Sequence, residues 1–164
     1  MTTTPLFRSA RLTGHAPDRR AAPLYADLFG AARGSDRLAA DLLDWSRHGV
    51  APWTLFHAGR AVGVAGFRIG FGGEGLELSF HFLPDVAGQG LASEFVQAAL
   101  DHAITTFRED HFHAEVAPDN AISIRVLEKA GFRPEPDGAD PVRMRLVIRR
   151  PDRAGAPTRP ALSA

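Results

Sequence analysis

The chain contains no cysteine. That absence removes disulfides, thiolate nucleophiles, cysteine-bound acyl intermediates and cysteine-based zinc sites together. Lysine is nearly missing too: Lys129 is the only one, and the basic side is otherwise arginine. Neither sign of charge is in excess, because Lys+Arg and Asp+Glu both number 19. A balanced chain carries no electrostatic footprint for nucleic acid or an anionic membrane. No apolar run approaches the ~20 residues of a membrane helix. The opening Met1 to Pro5 lacks the basic and apolar stretches of a secretory leader, so a cytoplasmic protein is expected.

What is present is globular: 164 residues, 45% of them hydrophobic. That is the size of one domain, able to bury roughly two-thirds of its unfolded surface without staples. Residues 7–15 read as a first strand. Pro17 to Phe29 suggests a short helix, with Leu24, Leu28 and Phe29 on one side. A second helix follows, capped by Ser35 or Asp36, carrying Leu38, Leu42, Leu43 and Trp45 and closed by Gly49. Trp53–Ala58 and Ala61–Ile69 form a hairpin around Gly59. Leu76–Leu83 alternates as a fourth strand. The longest helix, Leu91–Phe107, has an inner stripe of Leu91, Phe95, Ala98, Ala99, His102, Ala103 and Phe107. A fifth strand (His111–Ala117), a helix from Asn120 to Lys129 closed by Gly131, and strands at Phe132–Pro134 and Val142–Ile148 complete the domain. The last pair is joined through the turn-rich stretch from Pro136 to Pro141. Residues 1–150 form the domain, and 151–164, rich in Pro, Ala and Arg, are expected to be a tail. Strand–helix alternation in the middle predicts a parallel pair inside an otherwise antiparallel sheet.

The most informative segment joins the fourth strand to the long helix. Pro84 ends the strand, Gly88 and Gly90 follow, and a helix begins at Leu91. Strand, glycine turn and helix start aim several unpaired N–H groups, and the positive end of a helix dipole, at one point. Such a point binds phosphate.

Two motifs give this segment a family resemblance. Ala87 to Ala92 resembles the diphosphate loop Gln/Arg-x-x-Gly-x-Gly/Ala at Gly90 and Ala92. Asn120, Ser123, Lys129, Gly131 and Phe132 meet a second pattern, Asn-x-x-Ser-x5-Lys-x-Gly-Phe. Leu76 to Phe80 is similar to the family's entry to the fourth strand. Over about residues 6–148 the chain resembles the GNAT superfamily of N-acetyltransferases, most closely its Rim-type branch of ribosomal-protein N-terminal acetyltransferases. The resemblance implies a single α/β (α+β) domain with a mixed sheet of six to seven strands, helices on both faces, and fourth and fifth strands that are parallel but splayed. It implies acetyl-CoA as co-substrate and direct acetyl transfer to a primary amine of a small molecule or peptide N-terminus, by a monomer or homodimer. It further implies that Phe82 and Leu83 offer backbone groups to the pantetheine arm. Gly88, Gln89, Gly90, Leu91, Ala92 and Ser93 would grip the diphosphate. Asn120 would bind the arm, Ser123 would sit near the sulfur, and Lys129 would meet the 3′-phosphate.

Two positions depart from the pattern. Ala87 stands where the loop usually starts with Gln or Arg. Leu127 occupies the place of a tyrosine that protonates the thiolate in many members, and Tyr25 is the only tyrosine here. Rim-type sequences commonly lack that tyrosine as well.

The residues themselves leave roles open. Glu77, Ser79 and His81 project to one face of the fourth strand, and Leu78, Phe80 and Phe82 to the other. Glu77 is the candidate base, or else a strand-mouth carboxylate paired with arginine. Ser123 is a weak acid near the sulfur, or completes the helix N-terminus. His81 reads first as a packing residue. His111 and His113 share a face but have no third ligand nearby, so no metal is expected. The alternative of another class is a non-catalytic acyl-CoA-binding module with the same cleft. An unrelated mononucleotide-binding domain is disfavoured because no Lys-Ser/Thr follows the glycine loop and the loop itself, Gly88 to Ser93, is not a Gly-x-Gly-x-x-Gly.

Overall fold

The computed structural model describes residues 4–70, 73, 75–139 and 144–149, with the backbone alone at 136–139 and 144. The expected tail at 151–164 and the end of the turn near Pro141 lie outside the described residues.

The first expected strand is two strands. Phe7–Arg8 (β1) and Leu12–His15 (β2) pair antiparallel around a turn. There the Ser9 N–H donates to the Leu12 carbonyl (2.9 Å) and the Leu12 N–H donates to Ser9 Oγ (3.2 Å). This raises the sheet to eight strands. A 3-10 turn, Arg19–Ala21, is capped by Asp18, whose carboxylate accepts from the Arg20 N–H (2.7 Å). It leads into α1 (Ala22–Phe29).

The second helix, α2, spans Ala31–His48, so Ser35 and Asp36 lie inside it rather than at its cap. The chain turns instead at Gly30, whose φ of 80° suits glycine. Gly34 then lets α2 approach α1 closely: a Cβ there would lie 2.5 Å from the Tyr25 carbonyl oxygen. Of the expected apolar stripe, Leu38 is buried and Leu42 packs against it, but Leu43 is exposed. The inner face carries the fully buried Asp41 instead.

The hairpin is β3 (Trp53–His57) and β4 (Arg60–Ile69). Then come β5 (Leu76–Phe82), a 3-10 turn at Pro84–Val86, α3 (Leu91–Thr106), β6 (His111–Val116), α4 (Ala121–Ala130), β7 (Arg133–Ala139) and β8 (Met144–Arg149). The sheet order is β1-β2-β3-β4-β5-β6-β8-β7. Every neighbouring pair is antiparallel except β5 and β6.

Helices cover both faces. On one, Phe95, Ala99, Leu100 and Ala103 of α3 and Leu127 of α4 pack on Trp53, Phe67, Leu78 and Phe112. The burial of α3 is turned slightly from its expected stripe: Val96 and Leu100 are fully buried, while Ala98, His102 and Phe107 are only partly so. On the other face a smaller cluster joins Leu24, Tyr25 and Leu38 of α1 and α2 to Val64 of β4. Burying a phenylalanine such as Phe95 stabilises by about 2–3 kcal/mol, so the α3 face holds most of the apolar driving force. Among the described residues no helix is long and apolar enough to cross a membrane.

Candidate active site

The parallel strands β5 and β6 pair at only two positions, Leu76 with Phe112 and Glu77 with His113. Beyond them the strands part and leave a cleft of about 530 Å³. Leu78, Phe80, Phe82, Asn120 and Ser123 wall it, as do Leu28, Ser79, His81 and Glu115. Strand alternation puts the side chains of Phe80 and Phe82 on the α3–α4 face and those of Ser79, His81 and Glu115 on the α1–α2 face. The opening therefore runs through the sheet from one face to the other.

The Leu83 N–H donates to the Val62 carbonyl (2.9 Å) and the Leu83 carbonyl accepts from the Val86 N–H (3.2 Å). Both its backbone groups are paired within the chain, which corrects the expectation that Leu83 offers them to a ligand. In the antiparallel β4–β5 ladder, pairing alternates along the strand. Register fixes Val64 opposite His81 and Gly63 opposite Phe82. The backbone groups of Leu83, His81 and Ser79 thus turn toward β4, and those of Phe80 and Phe82 toward the gap.

The glycine loop closes the top of β5. Gly88 and Gly90 have φ of 78° and 75°, and Gly90 begins α3. Among the described residues, the N–H groups of Gly88, Gln89, Gly90, Leu91, Ala92 and Ser93 donate to no other group, while Glu94 is the first to donate back, to Gly90 (3.1 Å). The loop is held from behind. Arg11 donates from Nη1 to the Gln89 carbonyl (2.9 Å) and from Nε to Glu94 Oε2 (2.6 Å). Burial alone would raise the Glu94 carboxyl, but the Ser9 hydroxyl and Arg11 more than offset it and hold it below its usual range.

Asn120 caps α4: its Oδ1 accepts from the Ser123 N–H (3.1 Å). The cap uses the Ser123 amide rather than its hydroxyl, and the residue's place on the cleft wall is compatible with either role expected for it. Lys129 is exposed on the last turn of α4, outside the cleft wall, where Gln97 of α3 donates to its carbonyl (3.5 Å). Leu127, at the position of the missing tyrosine, is core.

The α1–α2 face of the cleft carries a polar cluster. Asp41 accepts from the Tyr25 hydroxyl (2.6 Å) and from an Arg68 guanidinium nitrogen. Burial pushes the Asp41 carboxyl up, against the pull of Tyr25, Arg68 and Arg37. Burial, then the Asp41 charge, pushes the Tyr25 hydroxyl well above its ordinary value. Arg37 lies 4.5 Å over the Phe29 ring, with Nη2 3.4 Å from His81 Nε2. His81 also meets Phe29 edge to face, centroids 4.9 Å apart. Burial, with Arg37 and Arg68 adding repulsion, lowers the imidazole to about 4, so His81 is neutral near pH 7. Glu77 sits at the closed end of the cleft, opposite Arg68 on one side and His113 on the other.

The expected site residues thus fall into groups. Phe82, Asn120 and Ser123 line the cleft, residues 88–93 form the loop above it, Glu77 lies at its base and Lys129 lies apart. Sequence reasoning missed Arg11, Arg37, Asp41, Arg68 and Glu115. An acid in register with Leu38 and Leu42 on one helix face was the available sign of Asp41. Arg11 meets its partners 78 and 83 residues away, and no local pattern announces that.

Residues 16–133 match the Acetyltransferase (GNAT) domain family. Among solved structures, an acetyltransferase from Agrobacterium tumefaciens superposes with a TM-score of 0.78 at 22% identity, over 92% of this chain and 97% of that one. The ribosomal L7/L12 alpha-N-protein acetyltransferase RimL gives 0.69 at 17% identity, over 86% and 94%. A mutant form of the spermidine N-acetyltransferase SpeG from Vibrio cholerae gives 0.69 at 16%, over 85% and 94%. At such identities the likeness is one of fold. Comparison with curated proteins gives no match. The family match covers most of the chain and includes the loop, the cleft walls and α4, so this chain belongs to the GNAT acetyltransferase family and is an N-acetyltransferase.

Proposed function

We propose that the chain uses acetyl-CoA to acetylate a primary amine, on a small molecule or a peptide N-terminus, by direct transfer while both substrates are bound. The observation that carries this reading is the conjunction of a through-sheet cleft with an adjoining loop whose amides from Gly88 to Ser93 have no acceptor among the described residues. Acetyl-CoA supplies an activated acetyl thioester. On this chain, the loop amides bind its diphosphate. The backbone groups of Phe80 and Phe82 take the arm as an added strand, and an N–H among them steadies the oxyanion. Asn120 binds the arm and Lys129 the 3′-phosphate.

The amine enters from the α1–α2 face, past Leu28, Ser79 and His81. Glu77, at the base of the cleft, receives its proton through water. The departing thiolate needs only modest help, since a thiol has a pKa of ~8.5, and Ser123 is the hydroxyl on the wall that supplies it. An α-amino group has a pKa of ~7.7–8.0 and a lysine amine ~10.4, so the weak acid–base equipment suits an amine already partly neutral.

The test is thermal unfolding with acetyl-CoA, followed by mass spectrometry of an amine panel containing α-amino and lysine-like acceptors. Ligand at 100 times its Kd adds about 2.7 kcal/mol; no shift at saturating concentration rejects the co-substrate. Glu77→Gln should slow lysine-like acceptors more than α-amino ones, and unchanged turnover of both removes Glu77 as base. A shift without acetylation of any amine leaves the non-catalytic module.

A further inference from the structure

Ala87 and Gly88 give the loop no polar side chain with which to hold itself, and Ala87 is exposed. Its anchor comes from the turn between β1 and β2. Arg11 Nη1 donates to the Gln89 carbonyl (2.9 Å), Arg11 Nε to Glu94 Oε2 (2.6 Å), the Arg11 N–H to Glu94 Oε1 (2.7 Å), and Ser9 Oγ to the same oxygen (2.6 Å). Arg11 Nη2 lies 3.7 Å from where a Cβ on Gly90 would be. One guanidinium therefore lies along the back of the loop and the first turn of α3.

Two consequences follow from elementary chemistry. The carbonyl of Gln89 and the N–H of Gly90 belong to one planar trans peptide and point in opposite directions. Fixing that carbonyl on Arg11 turns the Gly90 N–H away from Arg11. Second, Glu94 places a negative charge in the first turn of α3, where it opposes binding of a second anion at the helix's positive end. The ion pair with Arg11 cancels that charge. We propose that Arg11 is the positioning residue of the diphosphate site: it orients the Gln89–Gly90 peptide and neutralises Glu94 so that an anion can dock on the loop. This rests on the co-substrate reading above.

The test compares the intact enzyme with Arg11→Met, Arg11→Lys, Glu94→Gln and the Arg11→Met/Glu94→Gln pair. Two donors are used: acetyl-CoA, and S-acetylpantetheine, which has the thioester and the whole pantetheine arm but neither the diphosphate nor the nucleoside phosphate. Arg11→Met should raise KM for acetyl-CoA about tenfold, the scale of one charge-assisted hydrogen bond. Its kcat, and its KM for S-acetylpantetheine, should stay within about twofold. Arg11→Lys keeps the charge and the stem but cannot donate to both partners at once; it should fall between wild type and Arg11→Met, and covers a failure of the methionine variant to fold. Adding Glu94→Gln to Arg11→Met should recover part of the affinity, which loss of a merely structural contact would not. Equal KM for acetyl-CoA in wild type and both Arg11 variants overturns the proposal, as does an equal loss with both donors. If the wild type binds no acetyl-CoA, the co-substrate reading itself fails.

Discussion

His81 shows how a single side chain on the cleft wall is set by neighbours far away in sequence. Strand alternation puts it beside Ser79 and Glu77, and that much is legible from the pattern of β5. Its electrostatics are not, because they depend on Arg37 from α2 and Arg68 from β4, both in a cluster organised by Asp41 and Tyr25. Burial among these cations lowers the imidazole to about 4 from an ordinary 6.5. The sign of the consequence is definite. As pH falls from 6.5 toward 4, the unfolded chain takes the proton and the folded chain does not, so stability held above 6.5 is lost across that window. The full size is about 3 kcal/mol. Urea unfolding between pH 4 and 7 should show that His81→Phe loses less stability than wild type on acidification, with the two differing by about this amount at the acid end. Parallel pH profiles would mean that His81 titrates normally and that neither burial nor the guanidiniums act on it.

At the level of elements, helix existence was plain in the sequence and helix boundaries were not. Ser35 and Asp36 look like caps because their side chains commonly accept N-terminal N–H groups. Packing reverses that reading. Gly34 is needed inside α2 because Tyr25 of α1 passes so close that its carbonyl oxygen would lie 2.5 Å from a Cβ. The chain turns at Gly30 instead. The same cause hid Asp41: an acid in an apolar stripe looks out of place until Tyr25 and Arg68 are known to meet it. Intrinsic propensity alone makes Gly34→Ala stabilising by ~1 kcal/mol. The collision is with backbone, which cannot swing aside, so a net destabilisation of about 2 kcal/mol is expected by chemical denaturation. A more stable Gly34→Ala would mean that α1 and α2 do not approach this closely.

The whole molecule opens one cleft to both faces of its sheet. The parallel β5–β6 pair was legible from the strand–helix–strand order, and the glycine loop from its spacing. The splay beyond Glu77 was not, since it depends on β6 taking β8 along its other edge while β5 stays on β4; only the family resemblance anticipated it. A cleft open to both faces suits a donor arm along Phe80 and Phe82 and an amine past Leu28 and His81 at the same time. Without cysteine, the chain lacks the residue best suited to carry an acetyl group between two separate binding events. Initial rates against both substrates should therefore give intersecting double-reciprocal lines. Parallel lines would mean that the acetyl group rests on the protein between half-reactions, with Ser123 the hydroxyl on the cleft wall to receive it. Mass spectrometry after incubation with acetyl-CoA alone would then show one added acetyl group, and Ser123→Ala would abolish it. Direct transfer predicts an unmodified chain in that incubation, and turnover in Ser123→Ala reduced rather than lost.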